Sequence, residues 1–109
     1  MSDKPQHIIV LCTCPDDQTA TIIADRLVAD AYAACVNIVP GIMSVYQWKN
    51  NIEHDEELLL IIKTRQDCYL ELETVIQQLH PYELPEIIAV SIEQGLSGYL
   101  EWIDQSVGK

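Results

Sequence analysis

One stretch of the sequence, from Ala34 to Thr64, constrains the fold more than any other. It contains two long runs rich in β-branched, leucine and aromatic residues, which meet at Asn50-Asn51. Asparagine tolerates the positive φ angles of a tight turn, so the pattern predicts a long β-hairpin that turns there. From Gly41 to Asn50 and from Asn51 to Thr64 the arms have 10 and 14 residues. At about 3.3 Å per residue, the arms would be roughly 30 to 45 Å long.

Such a hairpin would extend beyond its own domain, because a compact chain of this length has a radius of gyration of only about 13 Å. Either the hairpin curls or another chain covers it; because an uncovered apolar ribbon would aggregate, we expect self-assembly. Tyr46 and Trp48 on the hairpin are the candidate interface residues, and stacking against a ligand is the alternative. Pro40-Gly41 predicts a bulge, since proline cannot donate to the strand ladder.

Length and charge limit the class of protein. We expect residues 1–109 to form a single domain, with residues 1–6 flexible at its start. The 17 acidic residues outnumber the 6 basic ones and give a formal charge of −11, which argues against a nucleic-acid partner. No apolar run reaches the roughly 18 residues of a membrane span, and MSDKPQ does not resemble a secretory signal. We therefore expect a cytoplasmic protein with no membrane partner.

The other segments alternate between strand and helix patterns. In chain order they are an apolar strand from His7 to Cys14, a helix capped by Asp16 or Asp17, the long hairpin, a helix capped by Asp67 and closed by His80-Pro81, a strand from Ile87 to Ile92, and a helix from Leu96 to Val107. This order predicts an α+β fold, a ferredoxin-like βαββαβ antiparallel sheet with an extra C-terminal helix. Both main helices would cover one sheet face and leave the other bare.

Cysteine usage suggests both free thiols and a metal site. The four cysteines, Cys12, Cys14, Cys35 and Cys68, lie in apolar patterns with no CxxC pair, so we expect free thiols and no structural zinc site of the usual kind. Cys12 and Cys14 are two apart on a strand and point to the same face, where they could hold a soft metal such as Cu(I). The alternative is that both are small buried hydrophobes.

His80 is a second candidate metal ligand. It ends a predicted helix and precedes Pro81, with Glu86 close enough in sequence to add a carboxylate ligand. The alternative is a protonated histidine that interacts favourably with the helix C-terminus.

The acidic run from Glu53 to Glu57 has the pattern of a solvated surface, with His54 only a weak metal candidate. No serine-histidine-acid set, phosphate-binding glycine loop or two-histidine metal motif is present in the sequence. We therefore expect a protein that is not an enzyme.

Three separated segments resemble the CutA family, the divalent cation tolerance proteins: VLCTCPD, AACVNIVPGIMSVYQWKNNIEHDEELLLIIKT and LHPYELPEIIAVSIEQGLSGYLEWI. The resemblance covers Ile8 to Ile103 and implies a ferredoxin-like homotrimer involved in tolerance to copper and other divalent ions. It implies Cu(II) or another divalent cation, and no organic cofactor. The implied ligands are a first-strand cysteine, which matches Cys12, and two adjacent histidines, of which the second matches His80. Leu79 occupies the other histidine position, so Cys14 or Glu86 would have to replace it.

The implied architecture is also similar to that of PII signalling trimers, which bind small ligands in clefts between subunits. By this fold-level analogy, Glu57, Lys63 and Tyr82, together with His80, could line an intersubunit cleft. The alternative function is therefore a regulatory or scaffold trimer that binds a small ligand. A purely structural trimer is the third hypothesis.

Overall fold

The computed structural model describes residues 6–108. In chain order the elements are β1 (His7–Cys14), α1 (Asp17–Ala29), β2 (Cys35–Trp48), β3 (Asn51–Arg65), α2 (Tyr69–Leu79), β4 (Ile87–Ser91) and α3 (Ser97–Ser106). The strands form one sheet in the order β2-β3-β1-β4, and every neighbouring pair is antiparallel. The predicted order of strands and helices is confirmed. Within the described range, no helix is long and apolar enough to cross a membrane.

The start of the chain is joined to the sheet at Gln6. Its carbonyl oxygen accepts a hydrogen bond from the Gln66 amide at 2.8 Å. The flexibility expected for residues 1–6 otherwise falls on residues 1–5, which lie outside the described residues.

The main core lies between one face of the sheet and the helices α1 and α2. Successive side chains of a strand point to opposite faces, so alternate residues of β1 and β3 enter this core. Its wholly buried members include Val10, Cys12, Leu60 and Ile62 of the strands, and Ile23, Leu27, Leu72 and Ile76 of the helices. Ile9 and Leu11, on the other face of β1, are only partly buried. Within one chain the second face of β1 is therefore only partly covered.

Of the N-caps predicted for α1 and α2, only that of α1 is observed. Asp16 caps α1 and accepts a hydrogen bond from the Thr19 amide at 2.7 Å, as predicted. Asp67 does not cap α2, because its two carboxylate oxygens accept hydrogen bonds from the Arg65 guanidinium, each at 3.0 Å. A short 3₁₀ turn, Gln66–Cys68, leads into α2 instead, and α2 has no side-chain cap.

The hairpin bulge was predicted correctly, but the turn was placed one residue too late. Val39 pairs with Leu59 and Ile42 pairs with Glu57, so Pro40 and Gly41 together lie opposite one residue. From this bulge the ladder runs outwards until Trp48 pairs with Asn51. The turn is therefore Lys49-Asn50, with φ angles of 50° and 69°. Long-range pairing sets the position of the turn and overrides the local preference of the Asn50-Asn51 pair.

The outer hairpin, residues 42–57, extends beyond the sheet. β1 ends opposite Leu58, so in the described chain the outer arms pair only with each other. The molecule is accordingly elongated, with extents of 49 × 25 × 22 Å. Large apolar side chains are exposed along this segment: Met43, Val45, Tyr46, Trp48 and Ile52.

Replacing Gly41 by alanine tests the bulge. Gly41 has φ of +74°, and an added Cβ would meet no atom within 4 Å, so the cost of Gly41→Ala is that of the backbone conformation alone. We expect the free energy of unfolding to fall by about 1–2 kcal/mol. The matched control is Gly98→Ala, in α3 and equally free of contacts, which should be neutral or stabilise by up to about 1 kcal/mol. Chemical denaturation at equal protein concentration measures both. Equal effects of the two substitutions would contradict this description of the bulge.

Candidate metal centre

Three side chains of metal-ligand type converge at the end of β1. The two sulfur atoms of Cys12 and Cys14 and a ring nitrogen of His80 all lie within 4.8 Å of one another. The two cysteines share a face because they are two apart on the strand. His80 joins them because α2 packs over the same face and ends beside the last residues of β1. Within residues 6–108, this is the one grouping of three or more His, Cys, Asp or Glu side chains with ligand atoms so close.

The site is dry. Both cysteines are 0% exposed and His80 is 7% exposed. The neighbouring Cys14 thiol raises the pKa of Cys12, as does burial, and the neighbouring Cys12 thiol lowers the pKa of Cys14. The Cys12 thiol donates to the main-chain carbonyl oxygen of Thr13, at 3.7 Å. All four cysteines are free thiols, as predicted.

The hydrogen bonds of His80 define its protonation. Nε2 lies 2.7 Å from the carbonyl oxygen of Thr13, and the amide nitrogen of Tyr82 lies 3.2 Å from Nδ1. A carbonyl can only accept and an amide can only donate, so Nε2 holds the proton and Nδ1 offers its lone pair. The imidazole is neutral. The alternative considered from sequence was a protonated ring at the helix C-terminus. Such a ring would carry an N–H at Nδ1 that faces the N–H of Tyr82.

Tyr82 connects the site to the hairpin. Its ring is tilted against the His80 ring, with centroids 4.7 Å apart. Its hydroxyl donates to Oε2 of Glu57 at 2.9 Å, and Glu57 is only 6% exposed. Burial, followed by this hydrogen bond, raises the pKa of Tyr82. Two of the residues assigned to a cleft, Glu57 and Tyr82, therefore touch each other and adjoin His80.

Lys63 lies elsewhere in the chain. Its Nζ is 3.9 Å from the sulfur of Cys35, and it is six positions along β3 from Glu57, roughly 20 Å at strand spacing. One chain does not bring Lys63 to Glu57 and Tyr82. A cleft that unites them across two subunits stays a prediction.

Glu86 is near the site but is not one of its three converging groups. It is exposed and directly precedes Ile87, which pairs with Cys12. Its charge contributes to the raised pKa of Cys12, after the larger effects of Cys14 and burial. A role for Glu86 as a ligand stays a prediction.

The hairpin aromatics are not part of this group of ligands. Tyr46 and Trp48 are exposed, Trp48 by 60%, and the Tyr46 hydroxyl donates to Asp55. That hydrogen bond raises the pKa of Tyr46 to about 12. In the part of the chain described, His54 and the neighbouring carboxylates form no group of close metal ligands.

The donor set selects soft ions. Two thiols and one imidazole suit Cu(I) or Zn(II) rather than Mg²⁺ or Ca²⁺, which prefer oxygen ligands. Ligands of one such ion lie about 2.0–2.3 Å from it, and hence at most about 4.6 Å apart. The observed limit of 4.8 Å is close to this value, so small side-chain rotations would close the site around an ion. Of the two candidates for the third ligand, Cys14 lies in this group and Glu86 does not, as the two-residue spacing of Cys14 from Cys12 indicated.

Comparison with known proteins assigns the family. The family model described as "CutA1 divalent ion tolerance protein" matches residues 8–106. A divalent-cation tolerance protein CutA from Thermus thermophilus is 43% identical over 92% of this chain and 97% of its own length. The human protein CutA is 44% identical over 85% of this chain, but the match spans only 52% of the human protein.

Solved structures agree with the sequence matches. CutA1 from Oryza sativa superimposes with a TM-score of 0.94 at 40% identity, covering 99% of each chain. The Thermus thermophilus protein gives a TM-score of 0.92 at 42% identity, covering 94% of this chain and 99% of that one. The chain therefore belongs to the CutA1 family of divalent ion tolerance proteins.

Proposed function

We propose that this chain binds a thiophilic metal ion through Cys12, Cys14 and His80 and contributes to metal-ion tolerance without being an enzyme. The observation that supports this most is the approach of two buried sulfurs and one imidazole nitrogen to within 4.8 Å of one another. The names of the relatives, divalent-cation tolerance proteins, support a role with metals.

The donor set narrows the choice of ion. The family resemblance implies Cu(II) or another divalent cation; two thiolates and an imidazole favour Zn(II) among divalent cations, or Cu(I). Cys14 takes the third ligand position for which Leu79 is unsuited. The four free thiols also favour a reducing compartment, which agrees with the cytoplasmic location that we propose.

The proposal includes a homotrimer of ferredoxin-like subunits. The sheet face opposite α1 and α2 exposes apolar side chains, including Ile88 and Val90, each 52% exposed. The 14-residue strand β2 is an edge strand, and its outer part exposes Tyr46 and Trp48. Long edges and apolar faces of this kind are normally covered. The number three comes from the family resemblance.

Substitution of the ligands tests metal binding. We expect Cys14→Ser and His80→Ala each to weaken Zn(II) and Cu(I) binding by at least about tenfold, because each removes a donor that the ion needs. Competition with a chromophoric chelator under reducing conditions measures the affinity. Cys68→Ser is the matched control, since Cys68 is also buried but lies outside the site. Unchanged affinity in both ligand variants would refute the proposed site.

Metal affinity should rise with pH. The neighbouring Cys14 thiol and burial raise the pKa of Cys12, so this thiol is protonated at neutral pH and has to release its proton to the solvent when it binds metal. Protons therefore compete with the ion, and affinity is lost as the pH falls. The logarithm of the affinity constant should rise by about one or more per unit between roughly pH 6 and 8. A pH-independent affinity would show that Cys12 is not a ligand.

Assembly has its own test. Sedimentation equilibrium should give about 37 kDa, three chains of 12.3 kDa each. Ile88→Asp introduces a charge on the bare sheet face and should dissociate the trimer. Leu70→Asp, on the exposed side of α2, is the matched control and should leave it intact. A monomeric parent protein, or equal masses for parent and Ile88→Asp, would contradict this assembly.

A further inference from the structure

His80 has no free lone pair for a metal ion in this structure. A neutral imidazole offers one N–H and one lone pair. The N–H on Nε2 is donated to the Thr13 carbonyl at 2.7 Å, and the lone pair on Nδ1 accepts the Tyr82 amide at 3.2 Å. An ion that binds His80 must therefore displace a hydrogen bond that already exists.

Either ring nitrogen leads to the loss of the same hydrogen bond. An ion at Nδ1 takes the lone pair that the Tyr82 amide now uses. An ion at Nε2 requires the proton to move to Nδ1, where an N–H would then face the N–H of Tyr82. In both cases the bond between the Tyr82 amide and His80 opens.

The Thr13 bond is compatible with binding through Nδ1. A metal-bound histidine usually donates its second N–H to a carboxylate or a backbone carbonyl. Nε2 of His80 already does this in the metal-free chain. The smallest change that makes His80 a ligand is therefore to replace its hydrogen bond from the Tyr82 amide by a bond from Nδ1 to the ion.

Tyr82 is held in place from its other end. Its hydroxyl donates to the buried carboxylate of Glu57 on β3, and its ring packs against His80. We propose that Tyr82 is a positioning residue that withholds His80 from metal ions through a latch, defined as its two hydrogen bonds to His80 and Glu57. Binding of an ion opens the latch and releases the segment 81–86, so that occupancy of the buried site is transmitted to the surface and to the hairpin. This inference rests on the proposed metal function.

The metal-free protein provides the first measurement. Heteronuclear NMR of the histidine ring should show His80 as the neutral tautomer protonated at Nε2, and the Tyr82 amide should exchange slowly with solvent. On saturation with Zn(II), exchange of the Tyr82 amide should accelerate. A tautomer protonated at Nδ1 in the metal-free chain would overturn the latch.

Affinity provides the second measurement. Tyr82→Phe removes the Glu57 bond but keeps the ring and the amide, so the latch opens more easily and Zn(II) should bind about 3- to 10-fold more tightly. Tyr69→Phe is the matched control, because it removes an equivalent hydroxyl bond to Glu73, 2.7 Å long, on α2. The effect of Tyr82→Phe should vanish when His80→Ala is also present, as in a double-mutant cycle.

The outcomes separate the latch from the metal function. If Zn(II) binds and His80→Ala weakens binding, but Tyr82 exchange and the affinity of Tyr82→Phe are unchanged, the latch is wrong and the metal site remains. If Zn(II) does not bind the parent protein, the proposed function fails and the latch fails with it.

Discussion

The ladder between β1 and β3 is the constraint on which the rest of the structure depends. It pairs Cys12 with Leu60 and Cys14 with Leu58, and so points both thiols into the core under α1 and α2. Because β1 ends opposite Leu58, the ladder also leaves the outer hairpin without a third strand. A slip of one residue would turn both cysteines to the opposite face, away from His80. The same pairing thus creates the buried site and the uncovered ribbon.

Much of this fold follows from local sequence patterns. Apolar runs located the four strands and helical periodicity the three α-helices of the described residues, and Pro40-Gly41 located the bulge, because these signals depend on neighbours in sequence. The turn was misplaced because pairing that starts at the bulge determines it. Asp67 was misassigned because the Arg65 guanidinium takes its carboxylate, a contact that competes with capping. Each error arose where a distant or competing partner outweighed a local preference.

The residues of the candidate site could be predicted from the sequence, but their hydrogen bonds could not. Cys12, Cys14 and His80 are ligand-type residues at recognisable positions, and the crossover of α2 brings His80 to β1. The sequence does not reveal that the Thr13 carbonyl and the Tyr82 amide occupy both nitrogens of His80, since main-chain groups lack a sequence signature. The site is therefore fully hydrogen-bonded and packed. Under the proposed metal function, affinity for an ion would depend on how readily those bonds are exchanged.

The central claim is that two sulfurs and one imidazole nitrogen hold a single ion in the core. X-ray absorption spectroscopy of the Zn(II)-loaded protein tests it most directly, because it counts the atoms bound to the metal. We predict about two sulfur neighbours near 2.3 Å and a nitrogen near 2.0 Å. A first shell of oxygen and nitrogen alone, without sulfur, would contradict it.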